Sequence, residues 1–257
     1  MPKFAASLNL MFTEWPLLDR FAAAADAGFK AVEVQFPYEE KPDAIAARLV
    51  AAGLELVLMN TPKGPPETGG RGLGALPEHA ALFRKAMDQA FDYAAATGCK
   101  MVHVMAGTSP TASEAAFETS LRYAAEKLAP IGAAAMLEPL NRFDNPGYFL
   151  GDFDLAARII RRLGLPNVKL QYDFYHRQRT HGEIVSSLTE MLPIVGHVQF
   201  AGVPGRNEPD GGEIDYGMLF ETLDRLGYQG WVGAEYTPRA GTLAGLGWLK
   251  RWNGVTA

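Results

Sequence analysis

The sequence predicts an α/β protein, a single (β/α)8 TIM barrel with residues 1–257 as one domain. Two observations carry this. One phrase recurs along the chain: an Ala/Leu-rich helical stretch ends in glycine and an apolar run of strand length follows. The other is the turn after the first strand, "NLMFTEWP", which has no glycine. A doubly wound sheet usually carries a glycine-rich phosphate turn there.

The repeated phrase reads "AAAADAGFKAVEVQF", "RLVAAGLELVLMN", "YAAATGCKMVHVMAG", "LAPIGAAAMLEPL", "IIRRLGLPNVKLQYDF", "MLPIVGHVQFAG" and "LDRLGYQGWVGAEY". Its glycines, Gly28, Gly53, Gly98, Gly132, Gly164, Gly196 and Gly227, are expected to end helices, where glycine takes a left-handed backbone without a Cβ penalty. Runs such as "AVEVQF" suit strands covered on both faces. With the opening "FAASLNL", eight strands are expected near Phe4, Ala31, Leu54, Met101, Ala134, Val168, Gly196 and Gly230. Helices fill the intervals. One starts at Pro16, since proline suits a first turn. Another runs from Asp154, with Asp152 or Asp154 as its cap. The Gly/Pro-rich segment 60–78 lies between a strand and a helix, so it reads as a long active-site loop and not as a linker.

Composition narrows the function. Hydrophobic residues make up 48% and charged residues 21%, ordinary values for a soluble enzyme. The net charge of −5 and the lack of a basic patch argue against nucleic acid. No apolar run reaches the roughly 20 residues needed to span a bilayer, so no membrane partner is expected. A single cysteine, Cys99, suits a reducing compartment, and the N-terminus does not read as a signal peptide, so a cytoplasmic location is expected.

In such a barrel the chemistry sits at the C-terminal ends of the strands. Strand four offers His103, strand five Glu138, strand six Asp173, strand seven Gln199 and strand eight Glu235. Three carboxylates crowded together raise one another's pKa. A divalent cation relieves that repulsion. The all-oxygen set Glu138, Asp173, Gln199 and Glu235 suits Mg²⁺ or Mn²⁺ better than zinc. His103 reads as a substrate contact or equally well as a hydrogen-bonded core residue, while His176 stands just beyond strand six.

The segments "PKFAASLNLMFTEWPLLDRF", "VHVMAGTSP", "EPLNRFDNPGYFL", "QYDFYH", "HVQFAGVPGRNEPDGGEIDY" and "GYQGWVGAEYTPR" resemble the hydroxypyruvate isomerase family over nearly the whole chain. That family is a branch of the xylose-isomerase-like barrels that includes 2-oxo-tetronate isomerases. The resemblance implies that Glu138, Asp173, Gln199 and Glu235 hold the metal and that Glu138 and Glu235 transfer protons. It implies substrate contacts at His176 and Arg206, with Arg206 the better carboxylate partner. Gln199 stands where the epimerase branch usually has histidine. Thr237 and the loop 62–74 depart from the family pattern, which bears on the substrate. The implied reaction converts hydroxypyruvate, a small hydroxy-oxo acid, into tartronate semialdehyde. A 2-oxo-tetronate isomerase or ketose 3-epimerase is the alternative on the same scaffold. A phosphodiesterase would need more histidines than five and a basic groove, and a non-catalytic binding protein would lack the carboxylates. Such barrels often associate, so a homo-oligomer is an expectation, although no exposed apolar stripe marks an interface.

Overall fold

In a computed structural model that describes residues 2–252, eight parallel strands close into a barrel in sequence order. They are β1 (Lys3–Ser7), β2 (Ala31–Glu33), β3 (Glu55–Asn60), β4 (Met101–His103), β5 (Ala134–Leu137), β6 (Val168–Asp173), β7 (Val195–Phe200) and β8 (Trp231–Ala234). Outside them run α1 (Leu17–Asp26), α2 (Pro42–Ala52), α3 (Ala80–Thr97), α4 (Glu114–Leu128), α5 (Phe153–Leu163), α6 (Phe174–Thr180), α7 (Ile184–Met191), α8 (Tyr216–Arg225) and α9 (Gly247–Trp252). No helix among the described residues is long and apolar enough to cross a membrane.

The expected glycines largely do their work. Gly28, Gly53, Gly98, Gly132, Gly164 and Gly227 all have positive φ. Gly196 is a correction. α7 ends at Met191, a 3-10 turn covers Leu192–Ile194, and Gly196 lies inside β7. A Cβ there would sit 2.8 Å from both the Lys169 and Met136 side chains, so glycine serves close packing and not a helix end. α1 follows Pro16 as expected. Asp152 caps α5, accepting from the Leu155 N–H at 2.9 Å, so the helix starts at Phe153 and not at Asp154.

Side chains alternate across a strand, and this parity divides the core. Phe4, Val32, Val102, Leu137, Tyr172, Phe200 and Val232 pack outward against the helices. The opposite parity fills the barrel. At its lower end Ala5, Ala31, Leu58 and Met136 form a small separate cluster together with Val57, with Met101, Ala134 and Trp231 against it. Two residues further along the same faces come Ser7, Glu33, Asn60, His103, Glu138 and Gly233. The barrel interior therefore changes from apolar to polar towards the C-terminal end of the strands.

Candidate active site

That polar end opens into a cavity of about 380 Å³, lined among others by Gln35, His103, Glu138, His176, Arg206 and Glu235. Glu138 and Glu235 each follow the last residue of their strand, β5 and β8. Asp173 ends β6 and is in register with Gln199 of β7; both are fully buried and neither belongs to the lining. Asp173 also caps α6, its Oδ1 accepting the Tyr175 N–H at 2.7 Å, which points the next turn and His176 towards the site. His103 pairs with Asn60 in the β3–β4 register and sets its Nδ1 3.3 Å from Glu138 Oε2.

Burial dominates the electrostatics. It pushes Glu138 well above the usual carboxylate range, with the Glu235 and Asp173 charges adding to the shift. Burial raises Asp173 to about 6 and Glu235 to about 7, against the opposing pull of the Arg206 guanidinium in both cases. Arg206 Nη2 lies 2.9 Å from Glu235 Oε2. Burial works against the Arg206 charge, but Glu235, Asp173 and Glu138 outweigh it and hold the guanidinium ionised. Burial lowers His103 to about 3, so its imidazole is neutral. His176 is pushed well below its ordinary range by burial and then by Arg206, and is neutral too.

Glu138 Oε1, Asp173 Oδ2 and His176 Nε2 converge within 4.8 Å of one another. All three atoms are buried without a hydrogen-bond partner. The imidazole's other nitrogen decides what His176 can offer. Nδ1 accepts the Asn141 backbone N–H at 3.0 Å. The Asn141 amide nitrogen lies 2.8 Å from it as well. That amide is fixed in orientation, because its oxygen accepts from the N–H groups of Phe143 and Asp144. A neutral imidazole that accepts at Nδ1 carries its proton on Nε2. His176 therefore aims an N–H, not a lone pair, at the carboxylates, 3.7 Å from Asp173 and 3.9 Å from Glu138. The two orphaned, crowded carboxylate oxygens fit a divalent cation; the histidine fits an oxygen of a bound molecule.

Gln199 is engaged elsewhere. Its Nε2 donates to Glu33 Oε2 at 2.7 Å and its Oε1 accepts from Gln171 at 2.6 Å. Because a carboxylate only accepts, Glu33 fixes which way the amide points. The Gln199 oxygen accepts one hydrogen bond and keeps a second lone pair, while Glu235 faces Arg206. Of the four ligands implied by the sequence, Glu138 Oε1, Asp173 Oδ2 and Glu235 Oε2 are buried oxygens without a hydrogen bond, the last of them facing Arg206 at 2.9 Å.

A model of the family described as xylose isomerase-like TIM barrel matches residues 21–252. The chain belongs to this family. Within it, the chain is 46% identical to the 2-oxo-tetronate isomerase of Cupriavidus necator, over 99% of this chain and 100% of that one. It is 39% identical to the hydroxypyruvate isomerase of Escherichia coli, over 97% and 98%. A Brucella melitensis structure described as an AP endonuclease, family 2, superposes with a TM-score of 0.95 at 42% identity, covering 98% and 99%.

This xylose isomerase-like barrel also holds site residues that the strand-end reading missed. Glu33, fully buried at the end of β2, binds His197 Nε2 through one oxygen and Gln199 through the other. Gln35 donates to Glu235 Oε1 at 3.2 Å and exchanges hydrogen bonds with Ser7. The signal was present in "AVEVQF", where Glu33 and Gln35 share a parity and interrupt an apolar run. Lys63, Gly69, Gly70 and Arg71 line the cavity, as a long active-site loop should.

Proposed function

We propose that the protein interconverts hydroxypyruvate and tartronate semialdehyde with a divalent cation, Mg²⁺ or Mn²⁺, as cofactor. Similarity to isomerases over nearly the full length supports the aldose–ketose reaction type. The observation that carries the mechanism is that Glu138 and Glu235, at the ends of β5 and β8, both line the cavity and both have raised proton affinity.

Glu138 and Asp173 would hold the cation, with Gln199 and Glu235 as the further oxygen ligands that the family resemblance implies. A divalent cation there supplies Lewis acidity that polarises adjacent carbonyl and hydroxyl oxygens and acidifies the neighbouring C–H. One of Glu138 and Glu235 takes the proton from the hydroxyl-bearing carbon. An enediol forms as the C–H pair of electrons becomes the new C=C bond, and the proton that the old carbonyl oxygen gains is balanced by the one that the hydroxyl oxygen gives up as it becomes the aldehyde. The same carboxylate or its partner then protonates the neighbouring carbon, and the former hydroxyl oxygen becomes the aldehyde. A carboxyl near pKa 7 suits this two-way traffic, because general acid–base efficiency peaks when pKa and working pH agree. The His176 N–H and the neutral His103 ring are placed to hydrogen-bond the oxygens whose charge changes.

A net charge of −5 and a cavity of about 380 Å³ support a small-molecule substrate over nucleic acid. The Cupriavidus relative favours 2-oxo-tetronate as the second reading. A panel of hydroxypyruvate, 2-oxo-tetronate and free ketoses, followed by proton NMR in D₂O, separates these. The expected outcome is turnover of hydroxypyruvate with solvent deuterium at the receiving carbon, lost on chelation and regained with Mn²⁺ or Mg²⁺. Full rate after stringent chelation overturns the cofactor assignment.

A further inference from the structure

The structure assigns the substrate's carboxylate to Arg71, with Lys63 as its neighbour, and not to Arg206; this rests on the isomerase reading above. Arg206 already faces carboxylates of the protein, although its buried Nε has no hydrogen-bond partner. Its guanidinium pairs with Glu235 at 2.9 Å and offsets Asp173 and Glu138, so a second carboxylate there would compete with three of the protein's own. Arg71 and Lys63 also line the cavity, and neither has a carboxylate partner among the described residues. Arg71 gives one N–H to Asn145 Oδ1 and a long one, 3.4 Å, to the Asp144 carbonyl. Both acceptors are neutral, and a guanidinium has further donors to offer as a planar fork. Lys63 Nζ stands 4.2 Å from the Phe36 ring centroid.

The loop that carries Arg71 is anchored. Gly72, with φ +97°, presses against β4's exit so closely that a Cβ would lie 2.2 Å from Met105 Cβ and 2.4 Å from its carbonyl oxygen. The Gly72 N–H closes the loop on the Lys63 carbonyl at 2.8 Å, and Gly74 N–H reaches the Met105 carbonyl at 3.0 Å. Asn145, itself buried, ties Arg71 to the segment that holds His176: its Nδ2 donates to the Asn141 carbonyl at 3.4 Å, and the Asn141 N–H meets His176 Nδ1. The guanidinium thus has a fixed place relative to the reacting end of the cavity. This separates an anionic pole for the chemistry from a cationic pole for the acid, and it ties the divergent loop 62–74 to substrate choice.

The test compares wild type and Arg71→Gln, each loaded with Mn²⁺, on hydroxypyruvate and on dihydroxyacetone, which replaces the carboxylate by a hydroxymethyl group. The expected result is a rise in KM for hydroxypyruvate of about 10- to 100-fold, the loss of one charge-assisted contact, with kcat changed far less. The acid-over-neutral ratio of kcat/KM falls with it, and Arg71→Lys restores part of the ratio. If dihydroxyacetone turns over too slowly to measure, competitive inhibition by glycerate against glycerol reads the same ratio. A KM in Arg71→Gln within about twofold of wild type overturns the assignment, as does an equal loss on acid and neutral ligands. Wild-type enzyme inert on both hydroxypyruvate and 2-oxo-tetronate sinks the isomerase reading instead, so the two failures are distinguishable.

Discussion

Stripping the cation should make the folded protein less stable as pH rises through neutrality. Glu235 moves from an ordinary 4.5 to about 7 in the folded chain, and Asp173 from 3.8 to about 6. Between those values the native state keeps protons that the unfolded chain has released. Stability is therefore fully present below about pH 4, and it is lost as pH rises to about 7. At about 1.4 kcal/mol per unit, Glu235 alone loses about 3 kcal/mol and Asp173 about 3 kcal/mol. The two carboxylates share part of their repulsion, so the combined loss comes to about 3–5 kcal/mol. Urea denaturation in the presence of chelator at pH 5, 6, 7 and 8 measures the slope, and repeating it with Mn²⁺ should flatten it. Glu235→Gln should remove its share without any metal. A metal-free stability that is level or rises from pH 5 to 7 would refute the reasoning.

Glu138→Gln and Glu235→Gln should each lower kcat by at least about 100-fold with the circular dichroism spectrum unchanged; near-normal turnover in either removes it from proton transfer. Isothermal titration with Mn²⁺ should show Asp173→Asn weakening binding strongly, while His176→Gln holds affinity and raises KM, because Nε2 carries a proton. The reverse pattern would make His176 a ligand. Gly233→Ala should cost about 1–3 kcal/mol in denaturant midpoint analysis, since its Cβ would fall 1.8 Å from Glu33 Oε1 and 2.6 Å from its Cδ. An unchanged midpoint would mean that Glu33 can swing away from His197 and Gln199.

The strand–glycine phrase made the barrel legible because a left-handed glycine ends most of these helical stretches and an apolar run makes the strand that follows. It misled once, at Gly196, where the same "G-then-apolar" spelling serves a close contact between neighbouring strands. The mouth of the barrel was legible at Glu138, Asp173, Gln199 and Glu235, because polar residues late in strands stand out against apolar neighbours. Glu33 belongs to the same pattern, and reading the runs by alternation and not as uniformly buried would have found it with Gln35, Gln171 and His197. The engagement of Gln199 by Gln171 and Glu33, and the tautomer of His176, depend on contacts between strands and loops distant in sequence, such as Asn141 with His176. No spacing rule encodes those. Arg71 was hidden for a different reason: a loop has no periodicity from which to read the direction of a side chain.

The buried polar ladder explains how one end of the barrel can hold so much negative charge. Glu33, Glu138, Asp173 and Glu235 gather there with Arg206 as the guanidinium between them. Glu33 is satisfied from below by His197 and from the side by Gln199, so it needs no cation and leaves Glu235 to Gln35 and Arg206. Glu138 Oε1 and Asp173 Oδ2 have no hydrogen-bond donor, and Glu235 Oε2 has the Arg206 charge beside it but no hydrogen bond. Burying such groups without a partner costs several kcal/mol, a cost that a divalent cation offsets. An acidic substrate entering this field would be repelled unless a positive group met its carboxylate away from the reacting carbons. Lys63 and Arg71 are the cavity-lining cations that no carboxylate of the described protein neutralises. The same charge imbalance that calls for a metal at one end of the cavity thus calls for the loop arginine at the other.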